Sequence, residues 1–479
     1  MFKFIALAGL VCLLSVLESH ASELPEMGDP SATMLTPAED YRLGQAFMRS
    51  LRQNVEINDD PELNAYINSL GYRLLAAADT HLPFTFFIVD DASINAFAGP
   101  GGYIGIHSGL ILAAKSEGEL AAVMAHEIAH VTQRHLARAF QKASASQLQT
   151  AAAILAAILL GSPEFSAAMI TSAAAGSIQQ QLNFTRSHEQ EADRVGIDIL
   201  VNSGFDPDHM PGFFQRLQEA YRYMESNLPE LLRTHPVTPN RIADSQNRAR
   251  QYPHRKEQLS PSFPYAQAKL RAMDKQEQPH RLQTLEAEQT LSPVEQYELA
   301  LLLTQQGKLE RAARLSRALL KESAESAHLI ALQARIDIDT GKPEKAAEQL
   351  QKALLILPAH PQLTMLYAEA LLQTGQARTA ADAVRELIQQ QPQFVLPSYY
   401  RLLAKTEFAG DRKGNAYMAM ADYYVMIGQN RTAIEQLENA LQQADENNRF
   451  QQERIKAALD RLKLETLEQK NDPLNPEEH

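Results

Sequence analysis

The residues that could do chemistry cluster in the HExxH sequence of residues 126–130, followed five residues later by His135. On a helix, His126 and His130 are about 40° apart around the axis, so both imidazoles can face one metal ion. Glu127 lies one step round, where its carboxylate can reach a water on that ion without ligating it. His135 lies about 140° from His130 on the same helix, which predicts a surface histidine outside the site.

A third ligand is expected from the sequence SHEQEAD at residues 187–193. Asp193 shares a helix face with Glu189, four residues earlier, and is nearly opposite Glu191. A zinc ligand set gains from an acid that accepts the outer N–H of a ligating histidine. This predicts Glu189 as the third ligand and Asp193 as the supporting acid. His188, about 100° from the Glu189 face, is the remaining competitor.

Two histidines and one glutamate with an open fourth position are typical of a catalytic site that holds one zinc ion. Zinc lowers the pKa of its bound water, and Glu127 would take the proton and pass it to the leaving amine. His235 lies in a loop that Pro236 and Pro239 stiffen. Three interpretations of it stay open: a hydrogen-bond donor to the oxyanion, a zinc ligand at rest, or a cap on a nearby backbone carbonyl.

The elements that would position these groups can also be predicted. Ser116 and Glu119 have the spacing of a capping box, which starts the helix that carries HExxH. The apolar stripe on that helix consists of Leu120, Val123, Met124 and Ile128. The glycine-rich stretch of residues 95–109 predicts a short strand with Ile104 and Ile106 on one buried face. It would be an edge strand able to pair with an extended substrate, or else part of a core hairpin.

The first 21 residues have the pattern of a signal peptide, with an apolar stretch from Phe4 to Leu17 that is short for a membrane span. The protein is therefore expected to be exported, with a mature form that begins near Ser22 and an uncleaved anchor as the alternative. The only cysteine, Cys12, lies in this segment, so the mature chain would form no disulfide. The net charge of −13 argues against a nucleic acid as the main partner.

The rest of the chain divides by composition. Residues 22–252 are expected to form the metallopeptidase domain, and residues 253–291 a linker with some helix. Gly307, Gly341 and Gly375 recur at intervals of 34 residues, which is typical of tetratricopeptide repeats over residues 292–465. A further helix pair is expected from Ala421 to Ala444, and residues 466–479 are expected to be a disordered tail. The predicted fold is α+β: a mostly helical zincin-like domain with a small sheet, followed by an all-α repeat solenoid.

One apolar segment, Thr150 to Gly176, is interrupted at residues 161–164 into two runs too short to span a bilayer. A buried helical hairpin is one interpretation. A flap over the active site, or a surface for peripheral membrane or partner contact, is the other.

The combined motifs resemble a known family. HExxH with a downstream ExxxD, the stretch NAFAGPGGYIGIHSGL, and Thr234-His235-Pro236 with Arg241 resemble the zinc metallopeptidases that include the CAAX-prenyl proteases and the bacterial heat-shock membrane protease. The resemblance implies zinc ligands and catalytic groups at the positions named above: His126, His130 and Glu189 for zinc, Glu127 as acid and base, and Asp193 as a supporting acid.

Those relatives carry transmembrane helices, whereas this chain has a signal peptide and repeats, as periplasmic members do. The resemblance then implies a role in outer-membrane protein quality control. The partners it implies are unfolded or misassembled outer-membrane proteins, and the β-barrel assembly machinery reached through the repeats. A rival interpretation is a chaperone-like adaptor in which the repeats do the work and the zinc site is silent.

Overall fold

The computed structural model describes residues 36–139, 186–221, 229–254, 260–445 and 448–470. The predicted signal peptide and the apolar segment from Thr150 to Gly176 lie outside these residues. The predicted fold class is confirmed: a mostly helical domain with one small sheet is followed by paired helices. No helix in the described ranges combines the length and hydropathy that crossing a bilayer requires.

The first domain is built from nine helices and three strands within the described ranges. They are α1 (Pro37–Asn54), α2 (Pro61–Leu75), β1 (Thr85–Val89), β2 (Ala96–Ala98), β3 (Tyr103–His107), α3 (Ser108–Ala113), α4 (Glu117–Thr132), α5 (His135–Ala139), α6 (Arg186–Asn202), α7 (His209–Tyr221), α8 (Glu230–Thr234) and α9 (Pro239–Ala249). One apolar core joins α2, the sheet, α4, α6 and α7.

The strand predicted within residues 95–109 is β3, but it lies at the centre of the sheet, between β1 and β2. It pairs in parallel with β1 and antiparallel with β2. Of the two interpretations of this stretch, the edge strand at Ile104 and Ile106 is therefore wrong, and the core hairpin, formed by β2 and β3, is confirmed. Gly105 makes room for the ring of Phe97, against which a Cβ atom would clash. Gly105 therefore allows internal packing rather than the approach of another backbone. The strand of this stretch that lies at the edge of the sheet is β2.

Helix α4 carries HExxH and is buried along nearly its whole length, including the predicted apolar stripe. Ser116 caps it by accepting from the Glu119 N–H at 3.2 Å. The Glu119 carboxylate accepts instead from the Lys115 N–H, at 2.7 Å, so the reciprocal half of the predicted capping box is not made. Gly196 of α6 lets that helix approach α4 closely, because a Cβ there would lie 3.2 Å from the His126 backbone nitrogen.

The segment expected as a linker contains two helices, α10 (Ser262–Met273) and α11 (Gln278–Ala287). Phe263 and Leu270 of α10 belong to the core of the first domain. Leu282 and Leu285 of α11 pack into the first repeat helices. The segment therefore ties the two parts of the molecule together.

Ten helices follow in the described ranges: α12 (Pro293–Gln305), α13 (Leu309–Glu322), α14 (Ala327–Asp339), α15 (Pro343–Ile356), α16 (Pro361–Gln373), α17 (Ala377–Gln390), α18 (Pro397–Ala409), α19 (Lys413–Met426), α20 (Asn430–Gln442) and α21 (Arg449–Lys470). Gly307, Gly341 and Gly375 have φ of 73°, 71° and 78°, the left-handed conformation that the predicted turns need.

The later part of the solenoid departs from the expected pattern. The helix pair expected from Ala421 begins earlier, at Lys413, and consists of α19 and α20, while the turn at Gly410 joins α18 to α19. Asp411, with φ of 59°, takes the left-handed position rather than Gly410. Helix α21 continues to Lys470, beyond the boundary expected at residue 465.

The repeats fold back onto the first domain around the start of α2. The Lys269 ammonium lies 2.8 Å from the Asp60 carboxylate and 2.6 Å from that of Glu62. His328 of the repeats also bonds to Glu62. Burial opposes ionisation of Glu62, but Lys269 and then His328 outweigh it and hold the pKa of Glu62 well below its usual range. A buried charge cluster therefore links the two domains.

Candidate metal centre and active site

The structure brings four side chains together from three elements: His126 and His130 from α4, Glu189 from α6, and His235 from the end of α8. One ligand atom from each lies within 4.8 Å of the others. All four side chains are buried, with exposed fractions between 2% and 4%. These four are among the predicted site residues, and His235, whose role the sequence left open, lies inside the cluster.

The spacing of the donor atoms fits a metal ion. The Nε2 atoms of His126 and His130 are 3.0 Å apart, and they lie 3.6 and 3.5 Å from the two carboxylate oxygens of Glu189. The Nδ1 of His235 is 3.4 Å from His126 Nε2 and 3.0 Å from Glu189 Oε1. Tetrahedral ligands at 2.0–2.1 Å from zinc are about 3.3 Å from each other. Two imidazole lone pairs facing each other at such distances repel unless a cation or a proton lies between them.

Glu127 is buried beside this cluster, and its position suits a proton carrier. Its side chain is fully buried, and neither carboxylate oxygen has a hydrogen-bond partner among the described residues. Its Oε1 lies 3.7 Å from His235 Nε2. Burying a carboxylate without hydrogen bonds costs free energy of folding. Such a group therefore points to a functional role.

Asp193 supports the cluster from behind, as the shared face with Glu189 predicts. Its Oδ1 lies 3.0 Å from His126 Nδ1, the ring nitrogen outside the cluster. Arg241 donates to both Asp193 oxygens, at 2.8 and 2.7 Å, and lies 2.8 Å from Glu189 Oε2. Burial opposes ionisation of Asp193, but Arg241 and His126 lower its pKa. The sequence indicated Arg241 only as part of a motif, and this double contact was not predicted.

The pKa values of the two α4 histidines in the cluster are shifted in opposite directions. Burial, with the neighbouring His126 next, holds the pKa of His130 well below its usual value. For His126 burial acts the same way, but Asp193 and Glu189 outweigh it and raise its pKa to about 9. A divalent cation would replace the proton held on His126, so metal binding should strengthen as pH rises.

The prediction that His135 is a surface histidine is wrong. Its side chain is fully buried, with Nδ1 3.0 Å from His130 Nδ1 and Nε2 3.0 Å from Glu191 Oε2. Helix α4 ends at Thr132, and Arg134 adopts a left-handed φ of 52°, so the angular spacing of a continuous helix does not apply. The chain turns back there and directs His135 inward.

The two competitors for the third-ligand role lie outside the four-residue cluster. Glu191 is partly exposed, and its Oε2 lies 3.0 Å from His135 Nε2. His188 stacks on His135, with ring centroids 4.5 Å apart.

His235 is positioned by α8, which is bonded to the sheet. The Leu231 N–H donates to the Ile94 carbonyl at 3.2 Å, just before edge strand β2, and the His235 N–H donates to the Leu231 carbonyl at 2.9 Å. The ring nitrogens of His235 face Glu189 and Glu127. This geometry disfavours the interpretation in which the ring serves as a cap on a backbone carbonyl.

The fold and this site define a metallopeptidase. Residues 60–249 match the model of peptidase family M48, and residues 337–406 match a tetratricopeptide repeat model. The chain is 36% identical to the beta-barrel assembly-enhancing protease of Escherichia coli (strain K12), over 92% of each protein. It therefore belongs to peptidase family M48, among the beta-barrel assembly-enhancing proteases.

Other relatives extend the comparison. The putative beta-barrel assembly-enhancing protease of Vibrio cholerae is 49% identical, in an alignment that spans 54% of this chain and 54% of that protein. The mitochondrial metalloendopeptidase OMA1 of Schizosaccharomyces pombe is 28% identical over 37% of this chain and 50% of its own length.

Proposed function

We propose that this metallopeptidase uses one zinc ion to cleave outer-membrane proteins in the periplasm, assisting the assembly of β-barrel proteins and degrading those that misassemble. The observation that carries the catalytic part is the buried carboxylate of Glu127, which has no hydrogen-bond partner among the described residues and lies beside a four-residue donor cluster. The E. coli and V. cholerae relatives are named for beta-barrel assembly, which supports the choice of client.

In this proposal His126, His130 and Glu189 hold the zinc, and Asp193 orients His126 through its outer nitrogen. The bound zinc would lower the pKa of a water and polarise the scissile carbonyl. Glu127 would act as general base toward the attacking water and then as general acid toward the leaving amine. The burial of Glu127 strengthens its electrostatic interactions with the reacting groups, because few solvent dipoles screen them.

Edge strand β2 offers a place for an extended client. The Asn95 carbonyl and the Gly99 N–H pair with β3, at 3.0 and 2.7 Å, so the backbone groups of Ala96 and Ala98 point away from the sheet. In this proposal a peptide adds as a further strand beside Ala98, which is partly exposed, whereas Ala96 is fully buried. Leu231 already bonds to Ile94 at the start of this edge, so α8, which His235 follows directly, lies beside it.

The repeats are proposed to recruit unfolded clients and the β-barrel assembly machinery through their concave surface. Deleting them is a poor test, because Lys269, Glu62 and His328 form one buried cluster across the domain boundary. The full chain should be given an unfolded outer-membrane protein and a short peptide that contains the same cleavage site. Recruitment predicts a much higher kcat/KM for the long client, and equal values would contradict it.

The rival function is a chaperone-like adaptor with a silent site, and one comparison separates the two. The wild-type chain and Glu127→Gln should both bind about one zinc per chain, and only the wild type should cleave the unfolded client. If the wild-type protein were filled with zinc and cleaved no unfolded outer-membrane client, the adaptor function would replace the protease.

A further inference from the structure

His135 links the candidate metal centre to Glu191 of α6. It is fully buried and uses both ring nitrogens: Nδ1 lies 3.0 Å from His130 Nδ1, and Nε2 lies 3.0 Å from Glu191 Oε2. Arg138 also lies 3.0 Å from the same Glu191 oxygen and fixes the carboxylate from outside. The outer nitrogen of His130 is thus connected through His135 to Glu191.

The chemistry of these groups gives the chain a direction. An ionised carboxylate only accepts hydrogen bonds, so Nε2 of His135 must donate to Glu191. A neutral imidazole carries one proton, which leaves Nδ1 of His135 as an acceptor. The proton between the two histidines must then belong to Nδ1 of His130. His130 is left with a free lone pair on Nε2, which is the atom that lies in the donor cluster.

The opposite direction would disable the ligand. If His135 donated from Nδ1, then His130 would accept there and carry its own proton on Nε2, where a metal must bind. The other α4 ligand needs no such intermediary, because Nδ1 of His126 meets the Asp193 carboxylate directly at 3.0 Å. At its own outer nitrogen His130 meets the His135 ring, and His135 conveys the effect of Glu191 to it.

We propose that His135 is a positioning residue that holds His130 in its metal-binding tautomer, with Glu191 setting the direction of the hydrogen-bond chain. The inference rests on the proposed metal centre and adds to it a second outer support, independent of Asp193 and Arg241. It also gives Glu191 a role without making it a ligand.

The test is zinc affinity, measured by competition with a chelator on the full chain. His135→Leu removes the acceptor and should weaken zinc binding by about 10- to 100-fold, the usual effect of losing an outer partner of a ligand. His135→Asn places an amide oxygen near the former Nδ1 and should restore most of the affinity. His107→Leu is the matched control, because His107 is a fully buried histidine of the same domain that bonds to Ser93, away from the cluster.

The outcomes separate this inference from the proposed function. Wild-type affinity in folded His135→Leu would overturn the positioning role, as would equal losses in the Leu and Asn variants, which would show a purely space-filling residue. A wild-type chain that fails to bind zinc would overturn the metal centre itself. Nitrogen-15 NMR of the zinc-bound wild-type protein gives a readout without any variant. It should show His135 protonated at Nε2, and protonation at Nδ1 instead would contradict the proposal.

Discussion

Removing the imidazole of His235 distinguishes its two functional interpretations, because they predict opposite effects. Its Nδ1 lies 3.4 Å from His126 Nε2 and 3.0 Å from Glu189 Oε1, inside the donor cluster, which favours a ligand at rest. If the open state that admits water is populated at about 0.1–10%, His235→Ala should raise turnover by about 10- to 1,000-fold. If His235 instead donates to the oxyanion, turnover should fall by about 100- to 1,000-fold.

The assay is turnover of an unfolded outer-membrane protein at equal zinc occupancy, with self-cleavage followed in parallel. Equal occupancy matters because losing a fourth ligand also weakens zinc binding. His81→Ala is the control, since His81 is an exposed histidine of the first domain, in the loop between α2 and β1. A large fall in the turnover of His235→Ala would refute the resting-ligand interpretation, and unchanged turnover would leave His235 a structural residue.

The remaining predictions concern other carboxylates. Glu189→Gln should lose zinc and activity. Glu191→Gln should keep both, because the amide oxygen of the new glutamine can still accept a hydrogen bond from His135. The reverse result by metal analysis would overturn the ligand assignment. Asp193→Asn should weaken zinc binding or activity by about 10- to 100-fold, and an unchanged zinc affinity and turnover would contradict its supporting role. Glu62→Gln should lower the free energy of unfolding by about 1–3 kcal/mol at pH 7, because it removes a buried charged partner. The folded-state pKa of Glu62 lies below its usual 4.5, so this stabilisation is present above pH 4.5 and is lost as pH falls below it. Unfolding curves of Glu62→Gln and the wild type should therefore converge in acid, while Glu348→Gln, in an exposed ion pair, should match the wild type throughout.

The sequence predicted those parts of the site that depend on regular helix geometry. His126 and His130 on α4, and Glu189 with Asp193 on α6, each lie at a spacing of four residues, which fixes a shared face. The prediction for His135 was wrong because the same arithmetic was carried past the end of α4. The left-handed turn at Arg134 depends on local backbone conformation, which a count of residues does not show.

Contacts between elements distant in the chain were harder to predict. Nothing in the spacing of Arg241 indicates that its guanidinium bridges Asp193 and Glu189, since this requires α9 to pack against α6. The central position of β3 likewise depends on how the strands are ordered, which alternation along one strand leaves open. The turn glycines of the repeats were predicted correctly because each acts within its own turn.

The central claim is that His126, His130 and Glu189 hold one catalytic zinc ion beside Glu127. Anomalous diffraction at the zinc absorption edge, from crystals of the zinc-loaded Glu127→Gln protein, tests this claim most directly. The account predicts one anomalous peak between His126 Nε2, His130 Nε2 and the Glu189 carboxylate, at ligand distances of about 2.0–2.2 Å. A peak ligated by Glu191 or His188 in place of Glu189, or no peak in the cluster, would contradict it.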